Sequence, residues 1–407
     1  MKFASSITSI LRIWWHKHSY MLLTFAIALM SVLALMKLGE EFWRLILDWA
    51  PGTSAAVDIK FRYKEVHLWF AGKPVYSELI VAVYPPETYV ILWPLLGWLA
   101  LTPARCLWAI TSVAALLWLV YLVVKKSNAD KPLERVFVAL IPLSMNATAN
   151  GIGIGQLPVL LIPALLAGLL LLHRGRGGWR EDILVAALVL IALAKPTLTV
   201  PFFWIVLFFP GRLRPALLVI LGYVALTIFA ASFQEPELLS LLHDWLDSAS
   251  AVPIRVKGVS AYGNLHIWLQ TLGLPEWSLP ASLLVLVALG FWIYLNRHLD
   301  IWLLLGVTAI VARFWTYHRW HSDLLILLPM ITLFRIAKQD SSADRSAVLA
   351  GVLLAITVLA MFAPYRVLYL PSPWSLLFTG GHAIVWIVML IFLLYQAYQK
   401  KNRTSTT

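Results

Sequence analysis

Residues 19–36 read Ser-Tyr-Met-Leu-Leu-Thr-Phe-Ala-Ile-Ala-Leu-Met-Ser-Val-Leu-Ala-Leu-Met, eighteen positions without a charged side chain. As a helix this stretch rises about 27 Å, close to the roughly 30 Å hydrocarbon core of a bilayer. Comparable runs recur to the far end of the chain. With 61% apolar and 13% charged residues and a mean hydropathy of +0.81, the sequence reads as an all-α, polytopic membrane protein, taken as one integral domain over 1–407. Twenty Trp and fourteen Tyr suit a chain with many membrane interfaces, where amphipathic rings concentrate. No small-residue cleavage site of the Ala-x-Ala type follows the first run, so that helix is expected to be retained.

Twelve spans are expected, at 20–38, 104–124, 134–149, 156–172, 182–195, 197–209, 215–232, 278–295, 301–315, 321–336, 346–363 and 374–397. The segment 87–101 is short and carries Pro94 and Gly97. It is expected to be interfacial or re-entrant, which the backbone tolerates only where protein or water satisfies it. The net charge of +12 sits in short loops between apolar runs, so it argues for orientation and anionic lipid rather than nucleic acid. The basic stretches are His173-Arg174-Gly175-Arg176 with Arg180, residues 211–214, Asn296-Arg297-His298, residues 335–345, Lys400-Lys401-Asn402-Arg403, and Lys2, Arg12 and Lys17. All are expected on the cytoplasmic side of a cell membrane. The lone Cys106 excludes an intrachain disulfide.

With that orientation the polar clusters that look chemical share the outer face: a first loop over 39–86, residues 150–156, the Lys195-Pro196 tip between two short helices, a second loop over 233–277, and 313–323. Ionisable residues within membrane segments are costly and usually line a functional path. The expected picture is a cavity sunk into the outer leaflet and open to lipid-borne molecules.

These residues resemble glycosyltransferase family 87, of the GT-C class. The likeness lies in Asp58 with Tyr63 five residues on, Gly72-Lys73-Pro74-Val75-Tyr76, Tyr84-Pro85-Pro86, Gly155-Gln156, Lys195-Pro196, and the Trp/His cluster at 315–321 leading to Pro329. That family includes a polyprenyl-phosphate-mannose-dependent α-1,2-mannosyltransferase of phosphatidylinositol mannoside synthesis. The resemblance implies a GT-C fold and a multi-pass enzyme that takes a sugar, with mannose the first choice, from a polyprenyl-phosphate-sugar donor. It transfers that sugar with inversion to a lipid-linked glycan or glycolipid acceptor on the outer, periplasmic face. By its place after the first span, Asp58 matches the family's catalytic aspartate.

The chemistry asks for particular groups. An acceptor hydroxyl must lose a proton as it attacks, so a carboxylate within reach acts as general base; Asp58 is the candidate, against the plainer role of capping a helix that begins near Ile59. The departing lipid phosphate needs cations and hydrogen-bond donors, for which Lys195, His318, Arg319 and His321 are the candidates, with Arg313 behind them. The plainer reading of Lys195 is snorkelling. His318 and His321 are read as sharing one helical face. The chain lacks the proline that precedes the family's histidines, which leaves the two as alternatives; His321 fits better by its distance to Pro329.

Lys60, Arg62, Tyr63, Tyr84, Gln156 and Asn264 are candidate substrate contacts, against interfacial charge, aromatic belt and helix-end roles. Gly151-x-Gly153-x-Gly155 has no strand before it and is no dinucleotide fingerprint. The outer carboxylates Asp58, Glu65, Glu78, Glu87, Asp244 and Asp247 lack tight spacing, so no cofactor is expected and transfer should be metal-independent. Two other classes compete. A secondary transporter would show matching halves, and none is visible; an O-antigen-type polymerase or ligase would share the cavity but bind a diphosphate carrier and draw more arginines.

Overall fold

The computed structural model describes residues 2–48, 55–79, 81–175, 177–255, 263–339 and 345–405. Among them there is no strand. Seven helices are long and apolar enough to cross a membrane, or eight if one bent pair counts as a single span, and Pro158–Arg174, Pro196–Leu207 and Ile301–Phe314 are shorter apolar helices. The chain is therefore a polytopic helical membrane protein. Its outward surface agrees: on α14 (Ser278–Asn296) the exposed side chains include Leu283, Leu284, Val287 and Phe291, a face that hydrocarbon accepts and water does not.

The first helix, α1 (Lys2–Leu47), runs past the end expected at residue 38. Its late charges are compensated rather than loop-forming: Glu41 pairs with Arg44 at 2.7 Å. The buried Arg105 of α5 (Leu101–Lys126) donates to the carbonyls of Leu45 at 2.8 Å, Asp48 at 3.2 Å and Arg44 at 3.3 Å. Those are orphan carbonyls of a helix C-terminus, where a cation is also favoured by the helix dipole.

Between them lie α2 (Val57–Phe70), α3 (Val75–Glu78) and α4 (Pro86–Leu96). At about 16 Å, α4 is too short to cross. A bend of 44° separates α6 (Pro132–Ser144) from α7 (Asn146–Ile154). The buried Asn146 fills that break by donating its amide to the carbonyl of Ala363, just past α17 (Arg345–Phe362).

The centre is formed by α8 (Pro158–Arg174), α15 (Ile301–Phe314) and α16 (Leu327–Ala337), each buried on nearly all sides, as a helix apolar all round should be. Packed on α8 is the pair α9 (Trp179–Ala192) and α10 (Pro196–Leu207). At about 21 and 18 Å neither reaches across a core of roughly 30 Å. Along the edge runs α11 (Arg214–Ala231). The stretch read as a second loop instead contains α12 (Leu238–Arg255) and α13 (Leu265–Thr271). The chain closes with α18 (Trp374–Ser405). The expected orientation of Arg176 and 340–344 falls outside the described residues.

Candidate functional site

The site begins with a close approach that one glycine permits. After α7 the chain turns at Gly155, whose φ is +79°, a region costly for residues with a Cβ. A Cβ there would lie 2.1 Å from Cγ1 of Ile59, so only glycine lets the start of α2 pass. The amide of Ala56 then donates to the Gly153 carbonyl at 2.9 Å. This contact sets Asp58, in the first turn of α2, against Gln156.

Gln156 donates from Nε2 to Asp58 Oδ2 at 2.6 Å and accepts at Oε1 from Lys195 Nζ at 3.4 Å. Three residues from three distant segments thus form one line. Asp58 does not cap its helix: Ala56 holds the N-cap position, and no side chain caps that end. Lys195 sits in the junction between α9 and α10.

A cationic and aromatic wall adjoins Lys195. His318 and His321 do not share a helix, contrary to the sequence reading: His318 precedes the 3₁₀ helix Trp320–Ile326, which contains His321. Both rings are buried, and their environments differ. His318 Nε2 faces the Thr197 carbonyl at 3.2 Å and Nδ1 faces Ser322 Oγ at 3.2 Å. Burial holds this imidazole well below its ordinary range, and Arg313 and Lys195 add to the shift. A neutral ring then donates from Nε2 and accepts at Nδ1. His321 instead keeps a buried Nδ1 without a partner, as do Arg319 at Nε and Tyr317 at its hydroxyl. Unpartnered buried polar atoms are costly and rare in native proteins.

Arg313 is already engaged. Its Nε donates to Asp323 at 2.5 Å and its Nη1 to the Gly263 carbonyl at 3.2 Å, while Tyr365 donates to the same carboxylate at 3.1 Å. Sequence reasoning had missed Asp323, although an acid at the head of an apolar run signals a buried partner.

The remaining candidates divide. At about 100° per residue, Arg62 and Glu65 return to within about 40° of Asp58 on α2, whereas Lys60 and Tyr63 stand about 140–160° away. Arg62 pairs with Glu65 at 2.6 Å, donates to the Val81 carbonyl at 3.2 Å and lies 4.4 Å from the centre of the Tyr84 ring. Complete burial raises Glu65 to about 8 against the pull of Arg62. Tyr63 packs on His67 at 4.0 Å. Lys60 is half-buried. Asn264 caps α13 by accepting from the Ile267 amide at 3.1 Å and donates to the His318 carbonyl at 3.4 Å, so its amide supports the histidine loop.

A comparison with protein-family models matches residues 82–324, more than half of the chain, to the model described as Glycosyltransferase family 87. The matched stretch takes in Gln156, Lys195, His318 and His321 and begins after Asp58. No curated protein matches the chain significantly.

Proposed function

Because this chain belongs to glycosyltransferase family 87 and is a membrane glycosyltransferase, we propose that it moves one sugar from a polyprenyl-phosphate donor to a lipid-linked glycan or glycolipid, with inversion. Mannose is the sugar proposed first. The reading includes a GT-C fold with about twelve crossings and a catalytic face on the outer side of the cell membrane. In support, every stretch read as a span carries a helix, and Gln156 and Lys195 precede α8 and α10, whose far ends lead to Arg174 and Arg212.

One observation carries the chemistry. The amide of Gln156 separates the Asp58 carboxylate from the Lys195 ammonium while touching both. A direct ion pair would consume each charge; the amide leaves Asp58 an oxygen free to receive a proton and Lys195 free to receive an anion. In the proposed reaction the acceptor hydroxyl gives its proton to Asp58 as its oxygen bonds to the anomeric carbon. The bond from that carbon to the carrier phosphate breaks, and the electron pair leaves with the phosphate. Lys195, Arg319 and the open nitrogen of His321 stabilise the departing charge in a site already shaped for it. His318 acts through the backbone it holds.

The charge count favours a monophosphate carrier over the diphosphate of a polymerase or ligase, since Asp323 neutralises Arg313 and leaves Lys195 and Arg319 as the wall's uncompensated cations. The test incubates purified protein with radiolabelled polyprenyl-phosphate mannose and a membrane-lipid extract, beside an equal amount of a diphosphate-linked donor. Label should pass to lipid from the monophosphate only. Transfer solely from the diphosphate would contradict the proposal.

A further inference from the structure

A cavity of about 280 Å³ lies between α3, the turn after α11, and α12, lined by Tyr76, Ser77, Gln234, Asp244, Asp247 and Ser248 over an apolar floor that includes Val75 and Leu241. Its size is near the lower end of the roughly 300–1,000 Å³ of small-molecule sites. It contains none of Asp58, Gln156 and Lys195. No Lys, Arg or His lines it; His243 reaches Asp247 at 3.4 Å from the exposed face of α12.

The cavity is joined to the base through a single strap of backbone. Four consecutive carbonyls are held: Val81 by Arg62 at 3.2 Å, Ala82 by Ser248 at 2.6 Å, Val83 by the Trp245 indole at 3.1 Å and Tyr84 by the Tyr76 hydroxyl at 2.8 Å. Arg62 is one turn beyond Asp58 on α2. Ser248 and Tyr76 face the cavity. The strap therefore has the base helix on one side and the cavity on the other. Gln234 donates to the Trp69 carbonyl at 2.6 Å, which fixes its amide and leaves its oxygen to accept.

Charge sorts the two substrates. A phosphate is repelled by the carboxylates of Asp244 and Asp247 and attracted by the wall around Lys195. A sugar suits the cavity: its hydroxyls donate to carboxylates, to the Gln234 oxygen and to the Ser77 hydroxyl oxygen, whose own hydrogen goes to the Pro74 carbonyl at 3.1 Å, and its C–H face suits an aromatic ring such as Tyr76. Resting on the glycosyltransferase reading above, we infer that this cavity is the acceptor subsite and holds a pyranose ring of the lipid-linked acceptor, next to the ring whose hydroxyl meets Asp58.

The test uses the two-ring octyl α-mannobioside as acceptor probe, methyl α-mannobioside as its lipid-free form and the one-ring octyl α-mannopyranoside as the control that reaches Asp58 alone, with two variants: the double Asp244→Asn/Asp247→Asn, and Ser77→Trp to fill the cavity. Transfer kinetics and equilibrium binding of the octyl glycosides are both measured on the full-length protein in detergent. Both variants should raise the KM for octyl mannobioside at least about tenfold, as loss of charge-assisted hydrogen bonds does, and leave the donor KM and the KM for the one-ring glycoside unchanged. The methyl mannobioside should bind more weakly than the octyl form but lose affinity in the same variants. Unaltered KM for octyl mannobioside in both variants would overturn the subsite while leaving the transferase reading intact. If wild-type protein bound octyl mannobioside and the variants did not, yet no sugar moved from any polyprenyl-phosphate donor, the reaction would fall and the cavity would stand. Absence of octyl mannobioside binding, or binding of an alkylammonium in its place, would remove the subsite.

Discussion

The side-chain amide of Gln156 lies 2.6 Å from the Asp58 carboxylate and 3.4 Å from the Lys195 ammonium. Its orientation is dictated by its neighbours, because a carboxylate only accepts and an ammonium only donates. Carboxylate and ammonium are thereby held apart by one amide that touches both.

Lys195 is expected to meet the donor phosphate with its charge. Lys195→Ala should weaken donor binding by about 1.5–3 kcal/mol, whereas Lys195→Arg should keep most of it because arginine also carries a positive charge. Wild-type donor affinity in Lys195→Ala would detach Lys195 from the phosphate.

The two histidines should separate by phenotype. His321 keeps an unpartnered nitrogen and His318 has both nitrogens occupied. His321→Ala should lower donor affinity with little change in thermal stability. His318→Ala should lower the melting temperature first, since it removes the partner of the Ser322 hydroxyl and leaves the Thr197 carbonyl with only the Trp315 indole. Equal effects on both readouts would show that the rings are interchangeable.

Gly155→Ala should disturb the site from beneath. The left-handed backbone alone costs about 1–2 kcal/mol for a residue with a Cβ, and overlap with Ile59 adds to it. Adding Ile59→Ala should recover the overlap part only, a non-additivity that a double-mutant cycle reads directly. Strict additivity of the two changes would mean that the contact does not constrain α2.

Orientation can be checked by labelling. Cys106 is exposed, so the background carries Cys106→Ser. In sealed spheroplasts an impermeant maleimide should label Leu272→Cys from outside and spare Gly177→Cys. Equal labelling would overturn the single outward face.

Much of this was legible in the sequence because lipid imposes a strict rule: a crossing helix must be apolar over its length, and a polar residue within one needs a reason. That rule found the helices, isolated Lys195 between two short ones, and drew attention to Asp58 and Gln156. It failed where charges compensate one another out of sight. Glu41 and Arg44 looked like the end of a helix, but Arg105, some sixty residues away, lets the helix continue. Arg313 looked like a free cation until Asp323 and Tyr365 were seen to hold it. Helix α12 was read as loop because its Asp, His and Ser residues face a cavity and solvent, which periodicity in a short amphipathic stretch does not reveal. Asp58 was given a cap as its plainer role; the helix begins one residue before it, leaving its carboxylate to Gln156.

The central claim is that Asp58 is the base for transfer from a polyprenyl monophosphate. It is tested most directly by single-turnover transfer from radiolabelled polyprenyl-phosphate mannose with wild-type and Asp58→Asn protein, measuring donor binding on the same samples. The account predicts that Asp58→Asn folds, binds donor as the wild type does, and transfers about 10²–10⁴ times more slowly. Transfer by Asp58→Asn at the wild-type rate would contradict it.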